Sequence, residues 1–451
     1  MQKLDLKQGA DQSRHPKRIG RLRKDFVLFH LAGSTEKFLG FRATGGLLLV
    51  YFTVLIGDRN PLSLLGLDVP FDFRFVSTLA LLGFSLLFRI PAPKVHFVPG
   101  FYGLIAAAGT SWAAGMLFLN EAGSRVYLDI LFILVVGFFT FLFGSDLGPS
   151  RLPRWFWWAL ITPLGVIFMY SIVQGPDSAG YFSGPSMGTI FYGWMMGTGF
   201  ITLFFLGKDR NSNIYIAMSF IFLFGAVLSA SRGAILALFL TTVIFLITVS
   251  PSLQLYSHSV KILLLGVGIF WFAPVCVSLY EFLTNKVFGI ESNRGRFSFL
   301  LIDQIFQTFT TPEESPLPIY TSGRWEIWME TLHRISSPVD LLFGVGSSSV
   351  FVSFGQSHPH NLFLSFLLAG GLLSLVPFLL LIWRVSFSMF ESSEIAQRIP
   401  AGLSMFWLLS ALLSGRFGDS TVLFYFLSIA LLSSQRRATR NFSRRMRPAG
   451  G

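Results

Sequence analysis

Apolar runs of near membrane-spanning length recur along the chain, at residues 43–57, 73–90, 97–119, 126–144, 155–174, 188–206, 213–230, 233–250, 260–281, 361–383, 399–414 and 419–434. A helical span needs about 20 apolar residues. In hydrocarbon every backbone N–H and C=O must find a partner within the protein, which a helix provides inside each run. The rest of the composition closes off a soluble alternative. Hydrophobic residues make up 52% of the chain and charged residues 13%, against roughly 25% charged in a soluble domain. The sequence therefore predicts an all-α, polytopic membrane protein with about twelve transmembrane helices.

Charge sets the expected topology. The formal net charge is +12, and the basic residues cluster at the two ends and in short gaps between apolar runs. With the N-terminus inside, 25 of the 35 Lys and Arg residues fall on the cytoplasmic side. The short outer gaps hold Arg59, Arg74, Arg125, Arg232 and Arg416, and the remainder sit in one long loop. This distribution obeys the positive-inside rule. An odd number of spans would put one basic end outside, so both termini are expected in the cytoplasm. The positive charge is thus read as topology signal and contact with anionic membrane lipids, not as a nucleic-acid surface.

The predicted organisation is a basic cytoplasmic arm at 1–42, helices one to nine within 43–281, a periplasmic loop at 282–358, helices ten to twelve within 359–434, and a basic cytoplasmic tail at 435–451. The arm, with its KRIGRLRKD segment, is too long and too charged for a standard secretory signal and lacks a small-residue cleavage site. Within the long loop, RFSFLLIDQIFQTF and SGRWEIWMETLHRI read as helices lying against the membrane. In the second, Trp325, Trp328, Met329, Leu332 and Ile335 fall on one face, with Glu326, Glu330, His333 and Arg334 largely opposite. An amphipathic helix with two Trp suits a membrane interface.

The sequence contains no Walker loop, no HExxH and no dinucleotide fingerprint after a strand. Its single cysteine, Cys276, lies in an apolar run and reads as a small buried hydrophobe. No cofactor and no metal are expected. Five short segments could carry chemistry, each with a plainer alternative. In SASRGA (229–234), Arg232 stands between two apolar runs, with Ser231 beside it. It can fork onto phosphate oxygens, or it can snorkel as a topology residue at a helix end. Arg324, at the start of the Trp-rich helix, is a second anion ligand or a lipid headgroup contact. In SHPHN (357–361), His358 and His360 sit where the long loop re-enters the membrane, and Asn361 opens a helix. A histidine there can act as a general base on an acceptor hydroxyl, or simply cap the helix; a His-x-His metal site lacks nearby Cys or carboxylate partners. QGPDSAGYFSGPSMG (174–188) is a Gly- and Pro-rich turn with one acid, Asp177, able to bring backbone close to a ligand or merely to connect two helices. In SGRFGDS (414–420), Arg416 and Asp419 can form a weak ion pair in a topology turn.

Under one topology Arg232, Arg324, His358 and His360 all face the same side. A diphosphate needs cations, and a glycosyl acceptor needs a base.

These same residues resemble the O-antigen ligase and polymerase superfamily of bacterial envelope glycosyltransferases. SASRGA is similar to that family's Ser-Arg-Gly signature, and GRWEIW (323–328) to its Arg-containing loop segment. His360-Asn361, followed after nine residues by Gly371, is similar to the pattern His-Asn-x9-Gly-x-x-Gly/Thr/Tyr, with Ser374 departing at the last position. Ser186 stands where an Asn commonly follows the Pro of the family's Gly-Pro turn. The resemblance implies a metal-independent, inverting, membrane-embedded glycosyltransferase of the bacterial inner membrane, working on its periplasmic face. The implied donor is a lipid-linked oligosaccharide on undecaprenyl diphosphate. The implied acceptor is lipid A core or another glycan. Carried over, Arg232 and Arg324 bind the diphosphate and His360 is the base, with Ser231, Asn361, His358 and Arg416 in support.

The resemblance does not separate ligase from polymerase. A shape-and-division type cell-wall polymerase would share the donor but usually has ten helices. From a different class, a secondary transporter also fits twelve helices. Major-facilitator carriers, however, place a long loop centrally and in the cytoplasm, and the inner gap RIPAPKVH lacks their mixed acidic and basic signature.

Overall fold

The computed structural model describes residues 42–55, 73–87, 105–109, 121–145, 152–176, 181–184, 188–249, 278, 282, 324–345, 360–391, 395–414 and 420–432, leaving aside the side chains of several helix-end residues. The runs at 97–119 and 260–281, both termini and the loop ahead of Arg324 lie wholly or largely outside them. Among the described residues the chain is helical, with no strand. The helices are α1 (Arg42–Leu55), α2 (Phe73–Leu87), the short α3 (105–109), α4 (Glu121–Ser145), α5 (Arg154–Gln174), α6 (Thr189–Arg210), α7 (Asn213–Leu228), α8 (Arg232–Val249), α9 (Arg324–His333), α10 (Pro338–Phe343), α11 (Leu362–Glu391), α12 (Ile395–Ser414) and α13 (Thr421–Leu432).

Four of these contain stretches long and apolar enough to cross a membrane: Tyr127–Gly144 of α4, the whole of α5 and α6, and Leu362–Ser386 of α11. Six shorter apolar helices accompany them. Several hydroxyls inside these helices are paired locally. The hydroxyls of Thr140, Thr198, Thr202, Ser404 and Ser428 each donate to the carbonyl four residues earlier, at 2.7–2.9 Å. Such back-bonding lets a hydroxyl sit in an apolar helix without an orphaned donor.

Helix α6 is the axis of the bundle. It is buried continuously from Tyr192 to Gly207, against α7, α8, α12 and α5. Glycines make this close packing possible, as small residues do wherever membrane helices approach without a hydrophobic drive. A side chain at Gly197 would collide with the Phe406 ring, one at Gly199 with Phe222, and one at Gly207 with Ile216. On the α12 side, the Trp407 indole N–H donates to Thr198 Oγ1 at 2.9 Å. Trp407 also meets Trp194 edge-on, with ring centroids 5.2 Å apart.

These contacts fix direction. Trp194 meets Trp407, Gly197 meets Phe406 and Gly402 meets Phe205, so rising numbers in α6 pair with falling numbers in α12 and the two helices run antiparallel. Arg398, near the start of α12, donates from Nη1 to the Thr248 carbonyl at the end of α8 (3.0 Å), so α8 also opposes α12. Only residues 392–394 join α11 to α12, and the two helices pack together. The N-termini of α6 and α8 therefore share one end of the bundle with the C-terminus of α12 and with residues Gly370 and Gly371 of α11, where α11 turns sharply: the Phe366 and Phe378 rings stack at 4.2 Å and those of Phe363 and Phe378 lie 6.1 Å apart.

A second cluster joins α1, α4 and α13. Tyr425 Oη donates to the Leu47 carbonyl at 2.9 Å. The Phe143 ring fills the space beside Gly46, and Leu432 the space beside Gly144. Arg74 and Asp129 form a 2.6 Å ion pair between α2 and α4; both side chains are largely covered, so neither charge is left alone in apolar surroundings.

Candidate active site

The SASRGA segment forms the turn between α7 and α8. Ser229 closes α7 in a right-handed conformation, and Ala230 adopts a left-handed one at φ 51°. Ser229 Oγ ties the turn twice: it donates to the Ala226 carbonyl at 2.6 Å and accepts the Ser231 N–H at 3.1 Å. The Ser231 carbonyl then accepts the Ile235 N–H at 3.0 Å and starts α8. Arg232 is the first residue of α8, at a helix end that offers N–H groups and a positive dipole to an anion. Ser229, Ala230 and Ser231 are all buried.

Two further elements close over this turn. At Gly193 of α6, an added Cβ would lie 2.6 Å from Ser229 Oγ and 3.0 Å from Ser231 Cβ. From the Gly- and Pro-rich loop, Tyr181 and Phe182 are buried, and the Phe182 N–H reaches the Leu228 carbonyl at 3.4 Å. That loop is thus packed onto the end of α7 rather than merely connecting two helices. Asp177 and Ser186 lie outside the described residues.

His360 and Asn361 begin α11. His360 is half-buried and holds a left-handed backbone conformation at φ 51°. Asn361 caps the helix: its Oδ1 accepts the N–H groups of Phe363 (3.0 Å) and Leu364 (3.2 Å). The Asn361 carbonyl accepts both the N–H and the hydroxyl of Ser365. An Asn at this position satisfies donors that a helix start otherwise leaves open.

Arg324 is the first residue of α9, as the sequence predicts. The side chains of Arg324 and Arg232 lie outside the described part of the chain, as do residues His358, Arg416, Asp419 and Cys276. Ile327 and Thr331 turn inward, while Met329 and Leu332 are exposed. The apolar stripe thus points away from the bundle, the orientation a helix lying on a bilayer needs.

Through α8, α12, α11 and α9, each packed on the next, the backbone of Arg232 is linked to those of His360 and Arg324. Arg232 and residues Gly370 and Gly371 of α11, to which the His360–Asn361 helix start leads, lie at the same end of the bundle. Two features escape the sequence reading. The apolar run 361–383 reads as an uninterrupted span, yet α11 is broken at Gly370 and Gly371, whose φ/ψ values are −152°/18° and 59°/−154°. The end of α10 is seated in that break, with the Val345 N–H donating to the Leu368 carbonyl at 3.0 Å. The adjacent glycines at 370–371 and the isolated Gly344 are the signal that marks this contact in the sequence.

A chain that is helical throughout its described residues, with several helices of membrane-spanning length and apolarity, is a helical-bundle membrane protein. The family model for O-antigen ligase matches residues 217–379, a stretch that contains the α7–α8 turn, α9, α10, His360-Asn361 and Gly371. Residues 217–379 are thus similar to the O-antigen ligase family, in line with the motifs in that stretch. No curated protein matches the chain.

Proposed function

We propose that this protein transfers a saccharide from an undecaprenyl diphosphate carrier to a glycan acceptor, lipid A core in the ligase form of the reaction, at the periplasmic face of the bacterial inner membrane. The observation that carries the reading is that the Ser229–Arg232 turn and the His360–Asn361 helix start both fall within the segment that the O-antigen ligase family model matches. The chain is assigned twelve spans with both termini cytoplasmic and the 282–358 loop in the periplasm.

In this reading His360 removes the proton from the acceptor hydroxyl as its oxygen attacks the anomeric carbon from the face opposite the diphosphate. The bond from the anomeric carbon to the phosphate oxygen breaks, the configuration inverts, and undecaprenyl diphosphate departs. Arg232 and Arg324 bind that diphosphate and stabilise the charge that builds on it. Ser231 and the start of α8 add neutral donors, Asn361 holds the helix start beneath His360, and His358 and Arg416 line the same face. No cofactor takes part and no metal is needed, because the two guanidinium groups supply the positive charge.

The test uses purified protein in lipid vesicles with carrier-linked saccharide and lipid A core, with products read by mass. Glycan joined to core sugar, and lost in His360→Ala, supports the ligase. Lengthening of the glycan on the carrier instead assigns the polymerase reaction of the same superfamily. Movement of saccharide across the vesicle membrane with no new glycosidic bond would favour the transporter and overturn the proposal.

A further inference from the structure

The short helix α10 and the residues after it, 338–345, are seated in α11 itself. Their partner is the break in α11. At Gly344, with φ 82°, an added Cβ would lie 2.5 Å from the Leu368 carbonyl oxygen and 2.8 Å from the backbone nitrogens of Gly370 and Gly371. A side chain at Gly371 would collide with the Leu342 carbonyl, and one at Gly370 would lie 2.8 Å from Ala107 Cα in α3. Three backbone segments therefore meet with no room for a side chain between them. α11 turns sharply there: the Phe366 ring stacks on Phe378 at 4.2 Å and the Phe363 ring lies 6.1 Å from it, where a straight helix at 1.5 Å per residue would hold those positions about 18 and 22 Å apart.

A segment that enters lipid must pair its own backbone groups, and α10 does so at both ends. Its start is closed by a capping box: Ser337 Oγ accepts the Asp340 N–H at 3.1 Å, and Asp340 Oδ2 accepts the Ser337 N–H at 3.0 Å. Its end is closed by Gly344 N–H to the Asp340 carbonyl (2.7 Å) and Val345 N–H to the Leu368 carbonyl (3.0 Å). The polar capping residues sit at the start of the helix and the glycine joint at its end. Between them Val339 (64% exposed), Leu341 (42%), Leu342 (42%) and Phe343 (49%) are uncovered by protein. The neighbouring surface of α11 is apolar and exposed in the same way at Leu373, Val376, Leu379, Leu380 and Trp383.

We infer that residues 338–345 form a membrane-embedded foot of the long loop. Gly344, Gly370 and Gly371 seat it in the broken helix, and Val339, Leu341 and Phe343 contact the acyl chains of the leaflet that α11 enters. The foot extends the lipid-facing surface of α11 and anchors the loop that carries Arg324. This inference concerns the placement of the loop in the bilayer and stands whether or not saccharide transfer is observed.

The test is spin-label accessibility in phospholipid vesicles. Cys276 is replaced by Ser, and single cysteines are placed at Val339, Leu341 and Phe343. Leu380→Cys serves as a lipid-facing reference and Ser336→Cys as a water-facing one. The foot predicts that labels at 339, 341 and 343 collide with oxygen far more than with a water-soluble nickel chelate, as at 380, and that 336 shows the opposite ratio. Adding Gly344→Ala to the 343 label should raise nickel collisions several-fold while the 380 label stays unchanged, which shows that the bundle is still inserted. Nickel access at 341 and 343 in the parent would place the foot in water. Shielding from both reagents would mean that protein, such as a second copy of the chain, covers the face. Either result overturns the inference, and an unchanged label in the Gly344→Ala protein overturns the role of the glycine seat.

Discussion

The hydroxyl of Ser229 accepts the Ser231 N–H at 3.1 Å and so holds the left-handed Ala230 between two buried serines, one residue ahead of Arg232. Ser229→Ala removes that acceptor and leaves a buried N–H without its partner, at a cost of about 1–3 kcal/mol. The purified variant should show a lower Tm in detergent and slower transfer. Unchanged Tm and rate would mean that the serine does not hold the turn.

Asn361→Ala removes the acceptor for the Phe363 and Leu364 N–H groups and should cost about 1 kcal/mol at the start of α11. The effect on transfer should fall mainly on kcat, because the cap sets the backbone beneath His360 rather than binding substrate. Asn361→Asp keeps the acceptor and should restore most of the rate. If Ala and Asp variants behave alike, the cap is not the reason the residue matters.

Between α6 and α12 the tightest fit is Gly197 against Phe406. Gly197→Leu places several atoms where the ring lies, and overpacking of this kind costs typically 1–3 kcal/mol or more. The variant should give poor yield and early thermal aggregation. Trp407→Phe, which removes the hydrogen bond to Thr198 Oγ1 and part of the ring that meets Trp194 but adds no clash, should still give folded protein, at a cost of about 1–3 kcal/mol. The reverse order of severity would contradict the packing described here.

How much of this could be read from the sequence depends on which force sets each feature. Helix positions in the apolar runs were legible because span length and hydropathy are local properties. The runs at 155–174 and 213–230 became helices Arg154–Gln174 and Asn213–Leu228. The start of α9 at Arg324 and the helix opening at Asn361 were legible for the same local reason, a charged or capping residue ahead of a helical pattern. The break in α11 was not, because hydropathy runs on through Ala369, Gly370 and Gly371 and only the arrival of Gly344 from a distant loop explains it. The register of α6 on α12 depends on shape, with Gly197 opposite Phe406, and hydrophobic patterning carries no such information.

For the assigned roles, Arg232→Ala and His360→Ala should each abolish transfer, with membrane insertion intact by protease protection. Arg324→Lys keeps a charge but loses the planar fork that grips two phosphate oxygens, so it should raise KM for the carrier-linked donor. An Arg324→Lys enzyme with unaltered KM would remove bidentate diphosphate binding from that position.

The central claim is that the glycosidic bond is made at the expense of the bond to the carrier diphosphate. The most direct measurement counts both products in the same vesicles: undecaprenyl diphosphate released and new glycosidic bonds formed. The account predicts equal amounts from the parent protein and neither from His360→Ala. Release of carrier without glycan transfer, or undiminished transfer by the His360→Ala protein, would contradict it.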